Sequence, residues 1–176
     1  TVSATDTTGF TSDDIITFTV NGLPSQPSVT ISPDPAYTNN DLIALATGSV
    51  DPEGTIPSYT YDWHLNGTST GNTATALPAS LTNKGENWTV YATPNDGISS
   101  GAPGSESITI SNTAPTLSAV LITPTTPYND ELLTCSATAT DPDEPVTLGY
   151  EWTISGNTVG ITPTLDLSAI TAHPND

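Results

Sequence analysis

Carboxylates are the residues of this chain whose types and spacing could do chemistry. Asp51 and Glu53 stand in "VDPEG", Asp141, Asp143 and Glu144 in "TDPDE", Asp96 in "TPNDG" and Asp6 in "TDTTG". Three or four carboxylates with neighbouring backbone carbonyls are what a hard cation such as calcium takes as ligands. Asp51, Glu53 and Asp96 form one candidate calcium group; Asp141, Asp143 and Glu144, with Asp6 of an adjoining segment, form the other. Asp-Pro and Asn-Asp-Gly are also ordinary turn formers, and these loops lack the regular Asp-x-Asp-x-Asp spacing of a dedicated calcium loop.

Other chemistry finds little footing. His64 alternates with Trp63 and is expected to face solvent, and His173 lies beside Pro174; neither adjoins a Ser or Cys in a recognisable nucleophile motif, and no His pair has metal-ligand spacing. The chain is therefore expected not to be an enzyme. Two glycosylation sequons occur, at Asn66 and at Asn87. Asn66 is placed in a hairpin turn where a glycan is tolerated, and Asn87 beside a strand where it is less accessible.

The elements that position these loops follow from composition. In 176 residues there are 16 Pro and 13 Gly, nearly a third of the chain is Thr or Ser, and long runs of helix formers are missing. Short strands with tight turns are the expected result. One base stands against 19 acids, giving a formal charge of -18. That field excludes nucleic acid as a partner and opposes direct contact with an anionic membrane. The longest apolar run, at Leu42, is far too short to cross a bilayer, so no membrane insertion is expected. Cys135 has no partner for a disulfide within the chain.

Two stretches nearly repeat each other: "YDWHLNGT" from Tyr61 and "YEWTISGN" from Tyr150. Around them "VTISPDPAY" from Val29 matches "VLITPTTPY" from Val120, and "NDLIALATGSVDPEG" from Asn40 matches "DELLTCSATATDPDE" from Asp130. A period near 90 is that of a whole small domain. Alternation puts Ile43, Leu45 and Thr47 on one face, matched by Leu133, Cys135 and Ala137. With Leu45 aligned to Cys135, the cysteine reads as apolar core filler. Asn66-Gly67 and Ser155-Gly156 each end an alternating stretch, as a tight hairpin requires.

This pattern, "ATGSVDPEG" or "SATATDPDE", then "YDW" or "YEW", then "WTVYATPNDG", resembles the immunoglobulin-like repeats of the polycystic-kidney-disease and cadherin-like kind in large bacterial and archaeal surface proteins. The resemblance implies an all-β chain of tandem immunoglobulin-like β-sandwich domains, one complete and two partial. It implies a tryptophan between the sheets of each copy, the acidic loops meeting at one end of each sandwich, and calcium at domain junctions.

Residues 25–113 form the complete domain in this reading. Residues 1–24 match only the last two strands, since "TVSATDTTG" aligns with "TVYATPNDG" and "DIITFTVNGLP" with "ESITISNTAP". Residues 114–176 match the first strands, stop at "AHPND", and are completed by residues equivalent to 1–22 of an adjoining copy. Short linkers are not expected to fold the two ends together over a sandwich roughly 30 Å long. The function expected is an extracellular or cell-surface structural repeat protein forming a stalk or filament, its units joined head to tail by tandem continuation or strand complementation. The alternative is an adhesive or carbohydrate-binding module of a larger secreted protein, contacting glycans or another cell surface through Tyr37, Tyr59, Tyr128 or Trp88.

Overall fold

The structure, a computed structural model, describes residues 1–170; His173 and the "AHPND" stretch lie outside the described residues. Among the described residues the architecture is all-β, built from strands and two short 3-10 turns at Ala79–Leu81 and Leu167–Ala169. The strands are β1 (Val2–Thr5), β2 (Thr11–Asp14), β3 (Ser28–Ser32), β4 (Ala36–Tyr37), β5 (Leu42–Thr47), β6 (Ser58–Leu65), β7 (Thr68–Asn72) and β8 (Ala76–Leu77). There follow β9 (Asn87–Asn95), β10 (Gly104–Ser111), β11 (Thr116–Thr123), β12 (Leu132–Thr140), β13 (Trp152–Ile154), β14 (Asn157–Gly160) and β15 (Thr164–Asp166). They form sheets ordered β1-β2, β3-β5-β8, β4-β10-β9-β6-β7, β11-β12-β15 and β13-β14. With Thr, Val, Ile and aromatic residues in short runs between Gly, Pro and Asn turns, strands are the locally favoured state.

The residues gather into two compact units. Unit 1 comprises Thr1–Ser32, Ile43–Ala76 and Trp88–Ser107; unit 2 comprises Pro33–Leu42, Leu77–Asn87 and Ile108–Asp176. In unit 1 the buried side chains include Val29, Ile31, Ala44, Ala46, Trp63, Val90 and Ala92. Trp63 and Trp88 meet edge to face with centroids 6.5 Å apart, the arrangement the ring quadrupoles favour. In unit 2 Trp152, Leu165 and Leu167 form a core against which Leu133, Cys135, Val159 and Ile170 pack.

The "YDW" and "YEW" stretches carry one hydrogen-bond scheme. Trp63 Nε1 donates to the Ala74 carbonyl at 2.9 Å and Trp152 Nε1 to the Thr162 carbonyl at 2.8 Å, so each buried indole satisfies its only polar atom. The acid before each tryptophan accepts from a hydroxyl across the hairpin: Ser69 to Asp62 at 2.8 Å, Thr158 to Glu151 at 2.6 Å. Both hairpins turn through two residues of positive φ, Asn66 (50°) and Gly67 (85°) in one, Ser155 (47°) and Gly156 (80°) in the other. That geometry matches the twist of the flanking strands.

The face of β5 differs from the expectation. In β5 the buried face is Leu42, Ala44 and Ala46, while Ile43 and Leu45 are exposed. The turn before the strand sets the register: Tyr37 N donates to the Asn40 side chain at 2.9 Å, and Tyr128 N to the Glu131 carboxylate at 2.6 Å. Asn40 is thus equivalent to Glu131, not to Asp130, and Cys135 takes the place of Ala44, not of Leu45. Because side chains alternate, a slip of one residue in the alignment exchanges the two faces of the strand. Cys135 still packs against the Trp152 core as a small apolar filler.

The two stretches differ in one respect. β6 pairs with β9 along eight positions, from Ser58 opposite Asn95 to Leu65 opposite Trp88. Its counterpart β13 is a strand only over Trp152–Ile154 and pairs only with β14 among the described residues.

Candidate functional site

The acidic loops bind the two segments that the sequence reading takes as linkers, around Gly22 and around Thr113. In "VDPEG", Pro52 and Gly54 turn the chain: Gly54 N donates to the Asp51 carbonyl at 3.0 Å and Thr55 N to Asp51 Oδ2 at 3.0 Å. Glu53, thrown to the outside of this turn, accepts the backbone N–H of Gly22 at 2.9 Å. Asp96 Oδ1 is held by Ile98 N and Ser99 N, both at 2.7 Å, which aims Oδ2 at Asn21 Nδ2, 2.9 Å away. The Ser99 backbone, the Asn21 amide and the Ile98 backbone hold the Asp96 carboxyl below the usual carboxylate range. The linker passes so near that a Cβ on Gly22 would lie 2.7 Å from Pro52 Cγ.

Unit 2 contains the same device with other side chains. Thr113 N donates to Asp143 Oδ2 at 2.6 Å, as Gly22 N does to Glu53, and the Thr38 hydroxyl donates to Asp143 Oδ1. Asp141 Oδ1 accepts from Asp143 N at 2.7 Å and from Glu144 N at 3.2 Å, fixing the turn. The preceding asparagine braces the linker each time, Asn21 Nδ2 on the Gly22 carbonyl and Asn112 Nδ2 on the Thr113 carbonyl, both at 2.8 Å. Lys84 bridges Glu144 at 2.8 Å and Asn112 Oδ1 at 2.9 Å, and the Glu144 carboxylate raises its pKa. Bonds from Thr38 and Thr113 hold the Asp143 carboxyl below its ordinary value.

Of the sequence candidates, Glu53 and Asp96 converge on one linker, and Asp143 and Glu144 on the other. Asp51 and Asp141 shape their turns; Asp51 is buried, and its Oδ1 has no hydrogen-bond partner among the described residues. Asp6 caps its own turn, accepting from Thr8 N at 2.8 Å, Thr8 Oγ1 at 2.7 Å and Phe10 N at 3.0 Å. Among the described residues, no three His, Cys, Asp or Glu side chains gather into a group that could hold a metal ion. The two asparagines and the linker N–H groups went unnoticed in the sequence. The Asn recurring before each linker was the available signal.

The remaining candidates scatter. Asn66 is exposed at its turn; Asn87 opens β9 and its amide donates to Thr109 Oγ1 at 3.3 Å. His64, expected to face solvent, is half-buried: it bonds the Asp62 carboxylate at 2.9 Å and stacks edgewise on Tyr91. Trp88 is buried and the Tyr59 hydroxyl accepts from Ser49 N, whereas Tyr37 and Tyr128 are exposed. No described helix is long and apolar enough to cross a membrane. No protein-family model matches the chain, and neither a curated protein nor a solved structure matches it.

Proposed function

We propose that this chain is a structural repeat protein of the cell exterior, a run of immunoglobulin-like sandwiches joined head to tail in a stalk or filament. Residues 25–113 make one complete sandwich in this reading, and 1–24 and 114–176 belong to its neighbours. The observation that carries it is the linker clasp, present twice with interchangeable acids: Glu53 on Gly22 and Asp143 on Thr113. A linker whose backbone N–H is held by a carboxylate loses the freedom that a Gly-containing connection would otherwise have. Such a device suits a stiff connection between repeated units.

The acid surplus supports the same role, because a formal charge of -18 keeps neighbouring threads soluble and apart. Calcium is not needed for it. The clasping oxygens already accept from N–H and O–H donors, and a cation would have to displace those donors. Small-angle scattering of the chain and of an E53A/D143A variant tests the proposal. The parent is expected to be an extended particle of defined length, and the variant to scatter as a broader ensemble. A compact globule, or identical curves, would overturn it.

A further inference from the structure

Lys84 carries the only lysine or arginine charge of the chain, and its amine stands between two groups that can react with it. Nζ lies 2.9 Å from Asn112 Oδ1 and 2.8 Å from Glu144 Oε1. An amine beside a carboxamide and a carboxylate brings together a nucleophile, an acyl group and a proton carrier.

The backbone holds the three in place. Lys84 sits in a turn closed by Glu86 N on the Asn83 carbonyl at 3.2 Å, with Asn83 N and Nδ2 donating to the Glu86 carboxylate at 2.8 and 2.9 Å. Gly85 N donates to the Ile110 carbonyl at 2.8 Å and Ile110 N to the Glu86 carbonyl at 2.9 Å, which ties this turn to β10 just before Asn112. Asn112 Nδ2 donates to the Thr113 carbonyl, so the amide presents its oxygen to Lys84 and keeps its nitrogen away. Glu144 is carried by the turn that Asp141 Oδ1 fixes. Groups fixed at contact distance react as if at very high concentration. Asn21, in the corresponding place on the other linker, meets Asp96 instead of an amine.

We propose that Lys84 and Asn112 become joined by a side-chain amide bond, with Glu144 carrying the protons. Glu144 takes a proton from the ammonium, and the freed lone pair of Nζ attacks Asn112 Cγ. The Nζ–Cγ bond forms and the Cγ–Nδ2 bond breaks. Nζ gives up two protons in all; the departing nitrogen takes up two and leaves as ammonium, and Glu144 ends unchanged. Nothing is oxidised and no water is consumed. Glu144, with Asp143 and Asp141 beyond it, favours the ammonium form of Lys84, so at neutral pH the step draws on a small free-amine fraction and is slow. It need happen only once in the life of each molecule. The link goes beyond the filament reading and stands without it.

Intact-mass spectrometry of the full chain tests this, on fresh protein and after incubation at about pH 9, where more of the amine is free. The parent is expected to lack one ammonia relative to its sequence. Digestion at glutamate is then expected to release a branched peptide joining 54–86 to 107–131. K84R and N112A, altered at exposed positions, are expected to fold by circular dichroism and to keep their full mass. E144Q keeps an acceptor for Nζ but cannot carry the proton, and is expected to link at least about a hundredfold more slowly. A parent at full mass after alkaline incubation overturns the proposal. So does a deficit that survives in N112A, because Asn66 before Gly67 can also lose ammonia by cyclising onto the backbone. An E144Q chain that links as fast as the parent overturns the mechanism.

Discussion

Thr113 N lies 2.6 Å from Asp143 Oδ2, and this bond, with the one from Thr38, favours the charged carboxylate over the neutral acid. A carboxyl whose folded pKa is depressed contributes stability that is complete above its unfolded pKa, near 4, and is lost as pH falls through the folded value. D143A is therefore expected to melt below the parent by a constant margin from about pH 8 to 5, the margin closing below about pH 4. Thermal melts across that range check this, and a margin that persists at about pH 2 would contradict it.

Trp63 is fully buried and Trp152 anchors a smaller core. W63A is expected to cost about 3–5 kcal/mol and W152A a smaller amount, each including the loss of an indole hydrogen bond. Urea titrations followed by far-UV circular dichroism measure both.

The register of β5 gives a direct comparison. L42D places a carboxylate at a fully buried position and is expected to unfold its surroundings, whereas L45D, on the exposed face, should lie within about 0.5 kcal/mol of the parent. The reverse ranking would restore the face assignment made from alternation alone.

Gly67 and Gly156 have positive φ and nothing within 4 Å of where a Cβ would stand. G67A and G156A therefore isolate backbone strain, expected at about 1 kcal/mol each without any clash. Denaturant midpoints measure it, and no loss at either site would mean the turn has another shape.

Calcium is expected to leave the melting temperature of chelator-treated protein unchanged at millimolar concentration, because Glu53, Asp96 and Asp143 already accept from donors. A saturable rise, lost in an E53A/D96A variant, would put a cation among them.

The all-β character was legible in the sequence because composition, alternation and turn residues agree. The hairpins at Asn66-Gly67 and Ser155-Gly156 were legible for a local reason: only such pairs take two positive φ values in succession. The face of β5 was not. "LIALA" is apolar at every position, so alternation carried no signal, and the register depended on Asn40 and Glu131 binding the N–H of a tyrosine three residues back. The linker clasps were half legible. Carboxylates in turns suggest cation binding as readily as hydrogen-bond acceptance, and their donors are backbone groups that no side chain announces.

In both hairpins and both linkers what persists is a donor facing an acceptor, while the side chains change: aspartate for glutamate, serine for threonine. Drift among these chemical equivalents is close to neutral. Either partner of such a bond can be exchanged for its chemical equivalent without reshaping the turn it holds.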